Sequence, residues 1–267
     1  MLTSSSPAVF PCEYGKILKE RGSCGFGWRV MRRSLHMIRQ GGRRLWQRTI
    51  ICRILDRITI RRFHKIAYYR ELWRGTQWLG RQVMQYPSDL LVKQDVIYRV
   101  RPDLLIECGT LHGGSALFYA TIFEMLGRGR VLTIDNNPKP DLPVHPRIEY
   151  LHASSTSDEA LQHVQKRVAE CGGVIMVTLD SLHRQEHVSR ELELYHRFVS
   201  RGSYLIVEDS EINGHPVHTE HEPDIGSGGP YEAIEEFLAS HREFEADHSC
   251  ERYLVTSHPN GFLRRTA

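Results

Sequence analysis

A chain of 267 residues with 40% apolar content carries enough material for one large core and an extension beside it. No apolar run approaches the roughly 20 residues that cross a bilayer, Met1 to Pro11 lacks the pattern of a secretory signal, and the six cysteines, Cys12, Cys24, Cys52, Cys108, Cys171 and Cys250, show neither C-x-x-C nor framework spacing. These features argue against a membrane-spanning protein and a disulfide-stapled one, and point to a cytoplasmic chain with reduced thiols.

The formal charge of +3 hides an asymmetry, because residues 1–65 hold 15 Lys or Arg against 3 Asp or Glu, a net +12 that leaves −9 for the remainder. Met1 to Pro7 reads as disordered. Trp46, Ile50, Ile51, Ile54, Leu55 and Ile58 recur at helical spacing, with Arg48, Arg53 and Arg57 largely on the other face, so the arm is expected to form a basic amphipathic helix. Such a helix packs against a second subunit or lies on an anionic membrane, here through residues 26–65. Packing in a homo-oligomer is the favoured reading. No base-stacking or groove-reading motif accompanies the arginines, and nucleic acid is not expected as a partner.

Residues 66–267 alternate strand-like runs with helical stretches, which predicts an α/β domain built on a doubly wound, mostly parallel seven-stranded sheet of Rossmann-like type. Four runs end in acids: Leu104-Leu105-Ile106 at Glu107, Val131 to Ile134 at Asp135, Val174 to Leu179 at Asp180, and Tyr204 to Val207 at Glu208-Asp209. In such a sheet the carboxyl ends of the strands form the edge where ligands bind, so these acids should surround one crevice.

The first end continues Cys108-Gly109-Thr110-Leu111-His112-Gly113-Gly114-Ser115 into an apolar helix, Ala116 to Leu126. This is a nucleotide-binding opening, but its glycine spacing departs from the G-x-G-x-x-G that seats a pyrophosphate. S-adenosylmethionine, an adenosine with an amino-acid tail and no phosphate, fits better. Glu107, Gly109, Thr110, Gly113 and Ser115 are the expected contacts, and Asp135 is the acid for the ribose diol unless it only opens the turn Asp135-Asn136-Asn137-Pro138. A third strand, Ile148 to Ser155, ends in Ser154 and Ser155, which either meet the adenine or cap the helix beginning near Asp158, the cap being preferred slightly. Cys108 reads as a packing residue.

Asp180, Glu208 and Asp209 together offer hard oxygen donors that suit magnesium or calcium; alternatively one caps a helix and another pairs with an arginine. His183-Arg184-Gln185-Glu186-His187 matches the inverted zinc-protease pattern H-x-x-E-H, yet it falls where the chain is only entering its next helix, His187 to Val199. His183, in the loop over the crevice, can take a proton from a substrate hydroxyl or merely sit in solvent. The stretch from Glu211 to Gly229, with His215, His218 and His221, is long and polar enough to be a substrate lid. The chain closes in a strand pair, Phe244 to Asp247 and Arg252 to Thr256, with Ser257 to Gly261 as its turn before Phe262-Leu263.

From about Ile66 to Arg265 the chain resembles the cephalosporin hydroxylase family, which includes rhamnosyl O-methyltransferases. The resemblance is carried by Trp78-Leu79-Gly80, Pro87-Ser88-Asp89-Leu90, Glu107 to Ser115, Leu179 to His183, His187-Val188, Gly202 to Asp209, Asn213 to Val217, Gly229 to Ala233 and Gly261 to Leu263. It implies a methyltransferase fold, bound S-adenosylmethionine, and a magnesium ion held by carboxylates matching Asp180, Glu208 and Asp209. On this reading the protein methylates a hydroxyl of a sugar or glycoside, with Asp180 or His183 receiving the proton. Two alternatives stand beside it. One is a non-catalytic nucleoside-binding or membrane-recruited protein; the other is a true hydroxylase, for which the sequence offers no convincing two-histidine-one-carboxylate triad.

Overall fold

The computed structural model describes residues 50–217 and 228–267. The expectations for Met1 to Pro7, for the arm up to residue 49, and for His218 and His221 of the lid lie outside the described residues. The chain divides into two units, Met1–Leu55 and Asp56–Ala267, and the second carries the sheet and the cavity. Helix α1 (Ile50–Tyr69) runs through the boundary expected between 65 and 66. Ile54, Leu55, Ile58, Phe63, Ile66 and Tyr69 leave apolar surface exposed along it. No described helix is long and apolar enough to cross a membrane.

Strands β1 (Gln77–Trp78) and β2 (Arg81–Gln82) form a separate hairpin. Its two turn residues, Leu79 and Gly80, both take positive φ, the geometry a two-residue hairpin turn requires. Helix α2 (Pro87–Val100) starts with proline at its first position, where the missing N–H costs nothing. The large sheet then follows with β3 (Leu104–Cys108), β4 (Arg130–Asp135), β5 (Ile148–His152), β6 (Ile175–Leu179), β7 (Tyr204–Val207), β8 (Phe244–Ala246) and β9 (Phe262–Arg265). Between them run α3 (Gly114–Leu126), α4 (Asp158–Cys171), α5 (Gln185–Tyr195) and α6 (Pro230–Ser240).

The seven strands lie in the order β5-β4-β3-β6-β7-β9-β8, parallel from β5 to β7, with β9 antiparallel to both of its neighbours. The order reverses between β3 and β6, so the crevice at their carboxyl ends is the topological switch point where this architecture binds ligands. Both faces are covered. Leu104, Ile106, Leu132, Val177, Leu179 and Leu205 pack under α4, α5 and α6, while Leu105, Val131, Met176 and Ile206 pack under α2 and α3. This two-sided burial explains why the central strands read as nearly continuous apolar runs.

Several local expectations are corrected. The third strand stops at His152, and α4 is capped by Ser157, whose hydroxyl accepts the Ala160 amide at 3.2 Å, rather than by Ser154 or Ser155. The helix expected from His187 starts at Gln185 and gives way to a 3₁₀ turn at His196–Phe198. Arg252 to Thr256 forms no strand; β8 pairs with β9, after a 3₁₀ turn at His248–Glu251 has carried the chain around. Cys108 is fully buried, and burial pushes its thiol well above the usual range, as suits a packing residue.

The switch point is tight. Gly109 adopts φ +101°, and a Cβ there would sit 1.8 Å from the Asp180 carbonyl oxygen. Gly109→Ala is therefore expected to lower stability by more than about 2 kcal/mol in urea unfolding of the full chain. A loss below about 0.5 kcal/mol would contradict this tight packing of β3 against β6.

Candidate active site at the carboxyl edge

A cavity of about 490 Å³ opens at the carboxyl ends of β3, β4, β6 and β7, within the range of small-molecule sites. Of the residues singled out from sequence, Gly109, Thr110, Ser115, Asp135, Ser154, Ser155, Asp180, His183 and Asp209 line it. Glu107, Gly113 and Glu208 lie behind its wall.

Asp135 opens the turn, as one of the two readings expected, and also stands on the cavity wall. One oxygen, Oδ2, accepts the Thr110 and Leu111 amides at 2.9 Å each, and Oδ1 accepts the Asn137 amide at 2.7 Å, which closes the turn. Fixed in this way at the cavity rim, the carboxylate keeps one acceptor site, on Oδ1, for a further hydroxyl. Ser155 is differently committed, since its hydroxyl donates to the buried Glu191 carboxylate. Thr110 Oγ1 lies 2.6 Å from Thr133 Oγ1 beneath the glycine turn. Gly113 is the N-cap of α3, and a Cβ on Gly114 would meet the Gln82 carbonyl oxygen at 2.0 Å, so the β1–β2 hairpin closes directly over the start of that helix. The hairpin is held there by Trp78, which packs edge-on against Phe118 and donates to Thr121 Oγ1 at 2.9 Å.

In the same cavity, Asp180, His183 and Asp209 bring one ligand atom each within 4.8 Å of one another. His183 Nε2 stands 3.3 Å from Asp209 Oδ2 and 4.0 Å from Asp180 Oδ1. Burial, then the charges of Glu208 and Asp209, push the Asp180 carboxyl well above the usual range. A quarter of its side chain (25%) stays exposed, so water tempers that push. Such mutual repulsion is what a cation relieves, and an all-oxygen carboxylate set suits a hard dication. The H-x-x-E-H segment does not form one site. His183 faces Asp209, whereas His187 on α5 turns to Ser181 at 3.1 Å and Glu191 at 3.3 Å.

Glu208 points away from the cavity into a polar layer beneath it. The cause is strand periodicity: neighbours along a strand direction face opposite ways, so Glu208 and Asp209 cannot both point outward. Its carboxylate is ion-paired with Lys93 of α2 and accepts from Thr178 Oγ1 at 2.7 Å and from the Gln85 amide. Burial opposes its charge, but Lys93 first and then His258 bring it down to about 2. Lys93 is fully buried and also donates to Gln85 Oε1 at 2.8 Å, and Gln85 Nε2 reaches Asp180 Oδ2 at 3.4 Å. Asp89, also buried, accepts the Ser257 amide and hydroxyl at 2.8 Å each. His258 Nδ1 accepts the Asp209 amide at 3.1 Å, which leaves Nε2 protonated and turned toward Glu208 at 3.7 Å.

Lys93, Gln85 and His258 were not anticipated from sequence. Asp89 and Lys93 stand four apart on one helix, a spacing that ordinarily marks a solvated ion pair. Also unforeseen are Tyr68 and Trp73, aromatic walls of the cavity supplied by the end of α1 and the turn after it. Glu211 lines the same side. Its buried carboxyl is pushed up to about 7, chiefly by desolvation, and lies 3.3 Å from His64 Nδ1 of α1. His215 of the expected lid is anchored, stacked on Tyr231 at 3.8 Å and 2.7 Å from Glu232.

The description rhamnosyl O-methyltransferase/CmcI belongs to a family model that matches residues 70–266. Rhamnosyl O-methyltransferase of Mycobacterium bovis (strain BCG) is 39% identical over 212 residues, covering 76% of this chain and 83% of that protein. Its counterpart in Mycobacterium leprae is 35% identical over 211 residues, covering 76% and 89%. Among solved structures, CmcI with Mg and SAM aligns with a TM-score of 0.54 at 18% identity, over 73% of this chain and 78% of the other. At that identity the likeness is one of fold.

Two outcomes follow from the buried polar layer. Lys93→Met should cost about 3–5 kcal/mol because it strands the Glu208 charge, and adding Glu208→Gln should restore at least half, as read by urea unfolding. A single variant as stable as the parent would contradict the pairing. Glu107, fully buried, is pushed by desolvation from 4.5 up to about 7. Because the folded value lies above the unfolded one, its contribution to stability is complete below about pH 4.5 and is lost as pH rises toward 7. Relative to Glu107→Gln, the parent should lose roughly 3 kcal/mol across that window. A pH-independent difference would show that Glu107 is not held in this way.

Proposed function

The chain belongs to the rhamnosyl O-methyltransferase/CmcI family, and we propose that it is an S-adenosylmethionine- and magnesium-dependent O-methyltransferase acting on a sugar hydroxyl of a glycosylated natural product. The observation that carries this reading is the meeting of Asp180, His183 and Asp209 in one cavity that Gly109, Thr110 and Asp135 also line. The glycine turn and Asp135 suit a nucleoside, and the Asp180–His183–Asp209 cluster suits a hard dication and the group that reacts.

Asp135 is the residue for the ribose diol, with the glycine turn from Gly109 to Gly113 allowing close approach and Ser115, Ser154 and Ser155 completing the pocket. Glu107 supports that turn from beneath, fully buried beside Ser115 and Thr133. Asp180 and Asp209 hold the dication from the cavity side, and Glu208 completes the set from behind through Oε2, the oxygen held by Gln85. When bound, the sulfonium donor supplies an activated methyl group and the dication lowers the pKa of a hydroxyl it contacts. His183 is the group that takes the proton of the acceptor hydroxyl, its Nε2 standing beside the carboxylates of the ion site, 3.3 Å from Asp209 Oδ2. Asp180 serves as a ligand rather than the base, since its oxygens are committed to the ion. Tyr68 and Trp73 give the acceptor sugar flat apolar walls to pack on and keep water from the reacting oxygen.

The substrate class follows the relatives named rhamnosyl O-methyltransferase. The exposed apolar row of α1 supports contact with a second copy, and the same row with the basic arm supports contact with an anionic membrane.

In a methyl-transfer assay with a rhamnosyl glycoside, Asp180→Asn and chelation of magnesium should each cut kcat by at least about 100-fold. His183→Gln should cost about 10² to 10⁴-fold while S-adenosylmethionine still binds in calorimetry. Full activity of Asp180→Asn in the presence of chelator would overturn the metal role. Tight cofactor binding with no methylation of any sugar hydroxyl would favour the non-catalytic alternative.

A further inference from the structure

The opposite edge of the sheet carries a second cluster of metal-ligating side chains. Helix α5 leaves the carboxyl edge at Gln185 and runs about 16 Å back across the sheet, at 1.5 Å per residue. It ends next to Ser200, whose hydroxyl accepts the Ile175 amide at the first residue of β6. There Glu193 and His196 meet His241, the residue that follows α6, with one ligand atom of each within 4.8 Å of the others. We propose that Glu193, His196 and His241 form a second metal site, selective for a zinc-class transition ion over magnesium.

The main chain sets the tautomer of His196. His196 Nδ1 lies 3.0 Å from the Leu192 carbonyl oxygen and His241 Nδ1 lies 3.2 Å from that of Phe237. A carbonyl only accepts, so His196 Nδ1 carries the proton and its Nε2 keeps the lone pair; His241 Nδ1 also meets the Ser240 hydroxyl at 3.1 Å, and its Nε2 is the nitrogen turned toward Glu193. This is the orientation that outer-sphere carbonyls impose on metal-binding histidines.

The rings are also held in place. Phe237 stacks on His241 at 4.1 Å and 14°, and the His196 ring centroid stands 4.6 Å from that of His241. Glu193 Oε1 lies 3.8 Å from His241 Nε2, too far for a hydrogen bond, so the carboxylate is not spent on that ring. Ligand atoms around a tetrahedral zinc stand about 3.4 Å apart, and a rotamer change of the exposed Glu193 side chain makes up the difference.

The field favours a cation as well, because the site lies where α5 and α6 both end, and each helix C-terminus carries partial negative charge. Two imidazoles and one carboxylate are a borderline-soft donor set. Zinc, nickel or copper is preferred to the harder, all-oxygen magnesium. Three protein ligands leave a fourth position for water, and an ion here ties the end of α5 to the end of α6. The methyl-transfer reading uses none of these residues, so the two proposals stand or fall separately.

The test is calorimetric titration of zinc chloride into the full chain, stripped with chelator and then held in millimolar magnesium to occupy the hard site. The expected result is one zinc at micromolar or tighter affinity, weakened at least tenfold in His196→Gln and in His241→Gln and unchanged in His183→Gln. Unaltered zinc binding in both glutamine variants would overturn the proposal, as would loss of that zinc in His183→Gln. A readout on the unsubstituted protein guards against misfolded variants. Diethylpyrocarbonate labelling of His196 and His241, followed by mass spectrometry, should fall at least fivefold with zinc while exposed His248 is unaffected. Equal labelling of the pair with and without zinc would refute the site.

Discussion

The buried ion pair between Lys93 and Glu208 sets the charge balance on which the carboxyl edge depends. Four acids, Glu107, Asp180, Glu208 and Asp209, end three neighbouring strands, and a low-dielectric interior does not hold that much negative charge unpaired. Lys93 answers Glu208 from α2, and desolvation keeps Glu107 ready to hold a proton near neutrality. What reaches the cavity is therefore the pair Asp180 and Asp209 with His183 between them. That residual charge is the complement of a divalent cation, which links the packing of one helix to the chemistry proposed for the site.

The backbone supplies the rest of the constraint. Parallel strands deliver their carboxyl ends to one edge, and the reversal of order between β3 and β6 opens a gap there that neither flanking helix fills. Gly109 lets β3 pass against the Asp180 carbonyl, and the β1–β2 hairpin sits directly on the first turn of α3. The residues that meet the cavity stand on strand ends and tight turns anchored by buried hydrogen bonds. Pre-positioning of this kind is what placing an acceptor oxygen in line with a methyl donor requires.

The strand ends were legible because strands buried on both faces leave a plain signal: an apolar run closed by an acid. That signal placed Asp135, Asp180 and Asp209 around one crevice and His183 over it. It also placed Glu208 in the same ligand set; the structure pairs that carboxylate with Lys93 in the polar layer below while Gln85 bridges it to Asp180. Adjacent residues leaving a strand point in opposite directions, and the partner that accommodates Glu208 lies 115 positions earlier in the chain. Sequence spacing carries no trace of such a pair, and the partner is a lysine where an arginine had been considered. The missed Ser157 cap and the misplaced terminal strand share a local cause, since several serines and several β-prone segments competed and tertiary packing chose among them. Tyr68 and Trp73 were invisible for a different reason. They stand at the start of the domain expected from residue 66, in a stretch that no motif marks, and only the fold brings them to the crevice.

The cation site at the carboxyl edge is the centre of this account, and diffraction can address it without an assay. Crystals grown with manganese in place of magnesium and with S-adenosylhomocysteine should show an anomalous peak about 2.1–2.2 Å from oxygens of both Asp180 and Asp209, beside a nucleoside on Asp135. A nucleoside in place with no peak at those carboxylates, at saturating manganese, would contradict it.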